Sequence, residues 1–386
     1  MIKSNDNLDR LKGAQSIIDT DSIKTITATF INLFLENQKV ITEYLKDATD
    51  VQNIFWLNFF ENKSFNMRIN PHIIKYVLHN KNNINKIYRY INFRFFFEQV
   101  SDKKIETDYP PYILIEPVSK CNLRCPFCFQ TDKSFTKKEF MGNMDLGLFK
   151  NIIDQADELG IGAVTLASRG EPTLHKNLIE MLSYTKDKEN IFEVKLNTNG
   201  TRLTEELCYK IFENEVNQLV ISADHYEKET FEALRKNSNF ESIVGNVNML
   251  YEIRKEFENP LTEIRISGID ANKSTDKKKF HKFWIKTADG VTMGDALERW
   301  DTYNNTIHED INDPCENLWD RMYIWHDGKV NPCDADYKSY LSYGNVNEYS
   351  IKELWNNKLI KNIRNKHLTN KRCEIEPCNK CGITFV

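Results

Sequence analysis

YILIEPVSKCNLRCPFCFQTD, running from Tyr112 to Asp132, joins a short apolar run to a loop in which Cys121, Cys125 and Cys128 stand in a C-x3-C-x2-C spacing. Pro110 and Pro111 lie just ahead of it. Consecutive prolines force extended backbone, so the pattern before them ends and a new domain opens near residue 108. Beyond the loop, apolar strand-like runs alternate with helical ones. The six strand-like runs are YILIEP, GAVTLAS, FEVKLN, QLVISA, TEIRIS and GVTM, separated by segments such as DLGLFKNIIDQADELG and ESIVGNVNMLYEIRKEF. Such an α/β alternation implies a parallel sheet with right-handed crossovers, either an open wound sheet or a partial barrel. Both folds bind ligands at the carboxyl ends of their strands. The cysteine loop follows the first of those ends.

The chain has 386 residues, too many for one ordinary core, so about two or three domains are expected. Hydrophobic residues make up 40% and charged residues 28%, and a net charge of -4 leaves no basic footprint for nucleic acid. The stretch MIKSNDNLDRLKG lacks an apolar core followed by a small-residue cleavage site, and no apolar run reaches the roughly 18 residues of a membrane span. A cytoplasmic protein is expected. In a reducing compartment, cysteines serve more often as metal or redox ligands than as disulfides. Eight of the nine fall in two groups, and Cys208, in TEELCYKIFEN, has the spacing of a buried helix position.

Three domains follow from these patterns. Residues 1–108 read as a helical domain without a chemical motif, whose aromatic run YRYINFRFFFEQ (Tyr88–Gln99) is expected to pack on the next domain. Residues 109–308 hold the alternating units. Over residues 309–386, short strands, turns and cysteines replace the periodic core, as in small modules held together by a bound metal. Asp327-Gly328 suits a tight hairpin that returns the strand carrying Cys333 beside Cys315. The segment CEIEPCNKC adds Cys373, Cys378 and Cys381.

Structural zinc takes four ligands, usually as two separated pairs, whereas three thiolates from one short loop can each meet a different iron of a cubane. Three thiolates on four irons leave one iron open to a reactant. A zinc knuckle that recruits a remote fourth ligand is the alternative left by the spacing.

CNLRCPFC, with Phe127 before the last cysteine, resembles the cluster loop of the radical S-adenosylmethionine (SAM) superfamily. The resemblance implies a partial (β/α)6 TIM-like barrel and a [4Fe-4S] cluster on Cys121, Cys125 and Cys128 that binds SAM at its open iron. SRGEPTL resembles the family's GGEP motif, which holds the amino group of SAM, with Arg169 in place of the first glycine and Gly170 and Glu171 retained. Asn197 in NTNGT, and Ser222 and Asp224 in ISADH, resemble residues that line the SAM ribose and carboxylate. The C-terminal cysteines resemble a SPASM/twitch extension, which carries auxiliary iron-sulfur clusters. The full pattern has more cysteines than this chain offers. One auxiliary [4Fe-4S] cluster is therefore expected, on Cys315, Cys333, Cys378 and Cys381, with Cys373 as a substitute ligand or a free thiol.

The family's chemistry cleaves SAM with one electron and abstracts hydrogen from a substrate C–H bond. An electron donor such as flavodoxin or ferredoxin is implied. A single auxiliary cluster suggests oxidation of a small molecule, a sugar or an aminocyclitol. The competing expectations are a maturase acting on a ribosomal peptide and a zinc-binding adaptor without enzymatic activity. Arg265, Arg321, Tyr323, Asp334 and Asp336 are polar residues placed either to face the cavity or to serve the fold; the sequence singles out no catalytic base.

Overall fold

The structure, a computed structural model, describes residues 14–15, 28, 31–47, 50–63, 67–271, 273, 275–295, 301–308 and 311–382. Its centre is a ten-stranded sheet. The six expected strands are all present, as β2 (Tyr112–Ile115), β3 (Ala163–Leu166), β4 (Glu193–Thr198), β5 (Gln218–Ser222), β6 (Glu263–Asp270) and β7 (Gly290–Asp295). They pair in parallel and in chain order. This is the sequential arrangement of a TIM-like partial barrel, with the connecting helices on one face. Those helices carry clear boundary signals. Asp145 caps the helix Leu146–Leu159 by accepting from the Gly147 and Leu148 amides, and Gly160 ends it at φ 78°.

Alternation along the strands sorts side chains between two environments. On β4, Val194, Leu196 and Thr198 are buried, while Glu193, Lys195 and Asn197 keep partial exposure. The apolar set joins Ile113, Ile115, Val164, Leu166, Leu219, Ile221, Ile264 and Ile266 in the main core beneath the helices. The other set faces the barrel interior. Cys208 is fully buried in that core, as its helical spacing predicts.

Two features depart from the sequence reading. Ala14–Gln15 forms a two-residue strand, β1, antiparallel to β7, in a region that reads as helical. The C-terminal segment also joins the sheet: β8 (Arg321–Ile324) pairs in parallel with β2, and β9 (Lys329–Asn331) and β10 (Gly344–Asn345) continue beyond it. Met322, Ile324 and Trp319 share the main core with the barrel strands. The module thus shares much of its core with the barrel, while Ala335, Cys381 and Cys333 form a small cluster of their own.

The N-terminal helices close the opposite end. The helix Ile84–Lys103 lays its aromatic face on residues that begin strands: Phe93 and Tyr90 pack on Phe192, and a Cβ at Gly162 would lie 2.3 Å from the Phe93 ring. Ala163, Phe192 and Leu261 belong to the same apolar cluster as Trp56, Phe59 and Tyr90. With the amino-terminal end of the barrel covered, the carboxyl ends remain as the place for chemistry.

Candidate active site

The loop after β2 carries Cys121 and Cys128, each half-buried, and Cys125, which is buried. Cys121 acts electrostatically on Cys125, and both act on Cys128. Burial pushes the Cys125 thiol up to about 11 and the Cys128 thiol up to about 12; neighbouring thiols add to both rises and Arg235 opposes them. Cys121 is raised by burial as well. Thiols this costly to ionise call for cationic partners, which metal ions supply.

Neighbouring strand ends hold the loop in place. A Cβ at Gly170 would stand 2.1 Å from the Val118 carbonyl and 2.6 Å from the Lys120 carbonyl, so only glycine lets the β3 loop lie against the cysteine loop. The Glu171 amide donates to the Lys120 carbonyl at 2.9 Å. The Glu171 carboxylate accepts from Thr173, from the Thr198 hydroxyl at 2.7 Å and from the Asn199 amide at 2.7 Å, which ties the β3 loop to the β4 loop. Three of those four bonds fall on Oε1, which leaves Oε2 acceptor capacity for a cation such as an ammonium. Ser168, just before this motif, sits at φ 111° with a buried hydroxyl that has no partner. Such strain is typical of functional turns.

Arg169, the departure from glycine, has a definite place. Its guanidinium donates twice to Glu116 at 2.6 Å and once to the Tyr337 carbonyl at 2.9 Å, and it lies over the Trp325 ring at 4.2 Å. Glu116 also contacts His326 Nδ1 at 3.1 Å. The side chain therefore clamps the β3 loop to the C-terminal module.

The remaining expected SAM residues differ in environment. Asn197 keeps a buried Oδ1 with no hydrogen-bond partner, and Ser222 is half-buried at the end of β5 beside Ser267. Phe127 is half-buried in the cysteine loop. Asp224 is fully buried, 2.8 Å from Arg235 and accepting from the Ile269 amide at 2.9 Å, so its carboxylate is already engaged by the protein. Two contributors escape sequence reading. Arg235 places a buried guanidinium within electrostatic reach of Cys121 and Cys125. Asn199 points its amide at the Cys121 sulfur, 3.8 Å away. Asn199 lies within NTNGT, where the resemblance singles out Asn197 instead, and Arg235 reads as the end of an ordinary helix.

In the C-terminal module, Gly328 at φ 82° makes the expected hairpin turn between β8 and β9, and Cys333 follows β9. The structure brings Cys315, Cys333, Cys378 and Cys381 together: Cys315, Cys378 and Cys381 all act electrostatically on Cys333, and Cys333 packs against the buried Cys381. Burial pushes Cys315 up to about 12 and raises Cys333 and Cys378 further; Arg372 opposes this at Cys315 and Cys378. Cys373 is half-buried in the turn Arg372–Glu374. Asp336 serves the fold: Tyr303, Asn331 and the Tyr340 and Leu341 amides all donate to it.

Among the described residues, no three His, Cys, Asp or Glu side chains gather closely enough for one metal ion. Cubane thiolates bind separate irons and need not converge on one point. The all-thiol donor sets, the glycine that admits the loop and the guanidinium beside each set suit iron-sulfur clusters.

Comparison with known proteins agrees with this chemistry. The radical SAM superfamily matches residues 115–270, and the SPASM iron-sulfur cluster-binding domain matches residues 315–382. A tungsten-containing aldehyde ferredoxin oxidoreductase cofactor-modifying protein of Pyrococcus furiosus is 33% identical over 114 residues, which cover 29% of this chain and 30% of that protein. The chain thus spans less than a third of that relative's length. Among solved structures, BtrN in complex with AdoMet and 2-DOIA is 20% identical, with a TM-score of 0.51 over 71% of this chain and 93% of that one. Streptococcus suis SuiB bound to precursor peptide SuiA is 14% identical, with a TM-score of 0.53 over 95% of this chain and 93% of that one. The cofactors of these domains are SAM, its [4Fe-4S] cluster and auxiliary iron-sulfur, and among the described residues no helix is long and apolar enough to cross a membrane. The chain thus carries a radical SAM superfamily domain over residues 115–270 and a C-terminal SPASM domain over residues 315–382.

Proposed function

We propose that this chain is an enzyme that removes hydrogen from a C–H bond of a small molecule such as a sugar or aminocyclitol and oxidises it, with one auxiliary cluster on Cys315, Cys333, Cys378 and Cys381. The observation that carries the reading is the trio of buried and half-buried thiols Cys121, Cys125 and Cys128 in the loop after β2, against which Gly170 and Asn199 lie. When bound, the cluster and SAM supply a 5′-deoxyadenosyl radical as the hydrogen acceptor. The protein's own residues hold and shield the site. Glu171 offers Oε2 to the amino group of SAM, Asn197 and Ser222 face the rest of the cofactor, and Arg235 offsets thiolate charge. Residues 1–108 close the amino-terminal end, 109–308 form the barrel and 309–386 the auxiliary module, and a cytoplasmic flavodoxin or ferredoxin is the electron donor.

A peptide substrate is the second reading. The match to SuiB spans 95% of this chain and so extends over its N-terminal helices, whereas the match to BtrN spans 71%. Anaerobic reconstitution tests the main proposal. About eight irons per chain, with 5′-deoxyadenosine formed from SAM under reduction, are expected. Bound zinc without SAM cleavage overturns the enzyme in favour of an adaptor.

A further inference from the structure

The barrel interior contains two cations whose side chains make no ion pair among the described residues. Lys195 on β4 and Arg265 on β6 both lie on the inward, half-exposed face of their strands, opposite the buried core positions. Arg265 and Arg321 are the charges that act most strongly on Lys195. In the sheet order, β6 lies two strands to one side of β4 and β8 three to the other. In a flat sheet, five strand spacings of about 4.8 Å would hold β6 and β8 roughly 24 Å apart. Only curvature around a common interior brings all three cations within reach of one another.

Most charges in this interior are matched. Arg321 pairs with Asp320 through two bonds, at 2.6 and 2.8 Å, and lies over the Tyr112 ring. Glu193 is engaged by Arg94, His72 and Tyr90. Glu263 accepts from Gln218 at 2.9 Å. The side chains of Lys195 and Arg265, by contrast, make no hydrogen bond or ion pair among the described residues. Burial, with Arg265 and Arg321 adding to it, pushes the Lys195 ammonium down to about 8. Half-buried cations held close together are costly, and Glu263 and Glu193, each already engaged elsewhere, offset only part of that cost at Lys195. A ligand anion would remove that cost.

We propose that the substrate of this chain carries an oxyanion, a carboxylate or a phosphate, that seats on Lys195 and Arg265 inside the barrel. This deepens the functional reading above and rests on it for the chemistry done to the substrate. Lys195 stands one inward position below Asn197, whose Oδ1 is buried without a partner. A molecule anchored by its anion at Lys195 therefore extends its uncharged part towards the carboxyl end, where the cysteine loop lies. Arg265 supplies a planar fork suited to either anion, and Lys195 a compact charge.

The test uses the reconstituted full chain and an amine-acetylating reagent near pH 8, with Lys195 acetylation quantified by mass spectrometry. Inorganic phosphate and acetate are the two probes, and whichever protects more strongly tells phosphate from carboxylate. At least one is expected to protect Lys195 at millimolar concentration while leaving the exposed lysines unaffected. Arg265→Met is expected to raise the half-protecting concentration roughly tenfold. If neither anion protects Lys195 in the wild-type chain, or if Arg265→Met protects as well as wild type, the proposal is overturned. Should Arg265→Met not fold, the wild-type result still decides. Wild-type protein that cleaves SAM without anion protection sinks the anion seat alone. Protection without SAM cleavage sinks the radical reading alone.

Discussion

The two ends of this barrel are built by opposite rules. At the amino-terminal end, aromatic rings from the N-terminal helices fill the space, with Tyr76 and Tyr90 stacked at 3.8 Å and Phe93 pressed on Gly162. The inward Glu193 there is fully engaged, by Arg94 at 3.3 Å, His72 at 3.4 Å and Tyr90 at 2.6 Å. At the carboxyl end, Ser168 is strained, Asn197 keeps an oxygen unpartnered among the described residues, and one loop carries three thiols that burial makes costly to ionise. Features that cost stability are thus gathered at one end, and the other end offsets them. In a barrel this separation lets the loops change chemistry while the base holds the fold.

The largest expected effect lies at the costly end. Cys125→Ala removes one of three thiols from the loop and is expected to abolish SAM cleavage, read as loss of 5′-deoxyadenosine under reduction. Cys378→Ala changes the other cysteine group instead. It is expected to lower iron from about eight to about four per chain and to leave some SAM cleavage uncoupled from product. Wild-type rates of 5′-deoxyadenosine formation in the Cys125 variant would break the comparison between an open and a fully ligated cluster.

Arg169 is expected to show the next largest effect, because it joins the chemical end to the C-terminal module. Arg169→Gly restores the family's glycine, yet it leaves Glu116 fully buried without its bidentate partner and removes the contact with Trp325. Breaking a buried pair in this way costs about 3–5 kcal/mol. Denaturant titration of the reconstituted protein should show that loss. Arg169→Lys should recover little of it, since an ammonium cannot reproduce the fork. An unshifted midpoint for Arg169→Gly would mean that the clamp carries no stability.

How far these features were legible depends on how local their causes are. The six strand-and-helix units announce themselves through alternation, the cysteine loop through spacing and the β8–β9 hairpin through Asp327-Gly328. The buried helix position of Cys208 follows from its period. The pairing of β8 with β2 has no such signal, because RMYI looks like any buried strand and its partner, Tyr112–Ile115, lies some 200 residues earlier in the chain. Arg169 reads only as a missing glycine; its role depends on Glu116, Trp325 and Tyr337 arriving from two distant segments. Arg235 and Asn199 reach the cysteine loop through packing alone.

The smallest expected effect tests the stable end through pH. Burial alone would raise the carboxyl of Glu193, but Arg94 and His72 outweigh it and hold it down at about 2, below its ordinary 4.5. A carboxyl depressed on folding binds fewer protons in the folded state, so its stabilisation is present above about pH 4.5 and is lost as pH falls through about 2. The shift corresponds to a contribution on the order of 3 kcal/mol. Glu193→Gln should therefore unfold more readily than wild type near neutral pH. The gap should close as pH falls towards 2, where the wild-type carboxyl is itself neutral. Denaturant midpoints compared across that range decide the matter. A gap that stayed constant with pH would mean that Glu193 acts through shape and hydrogen bonding to Tyr90, and that charge contributes little to closing this end of the barrel.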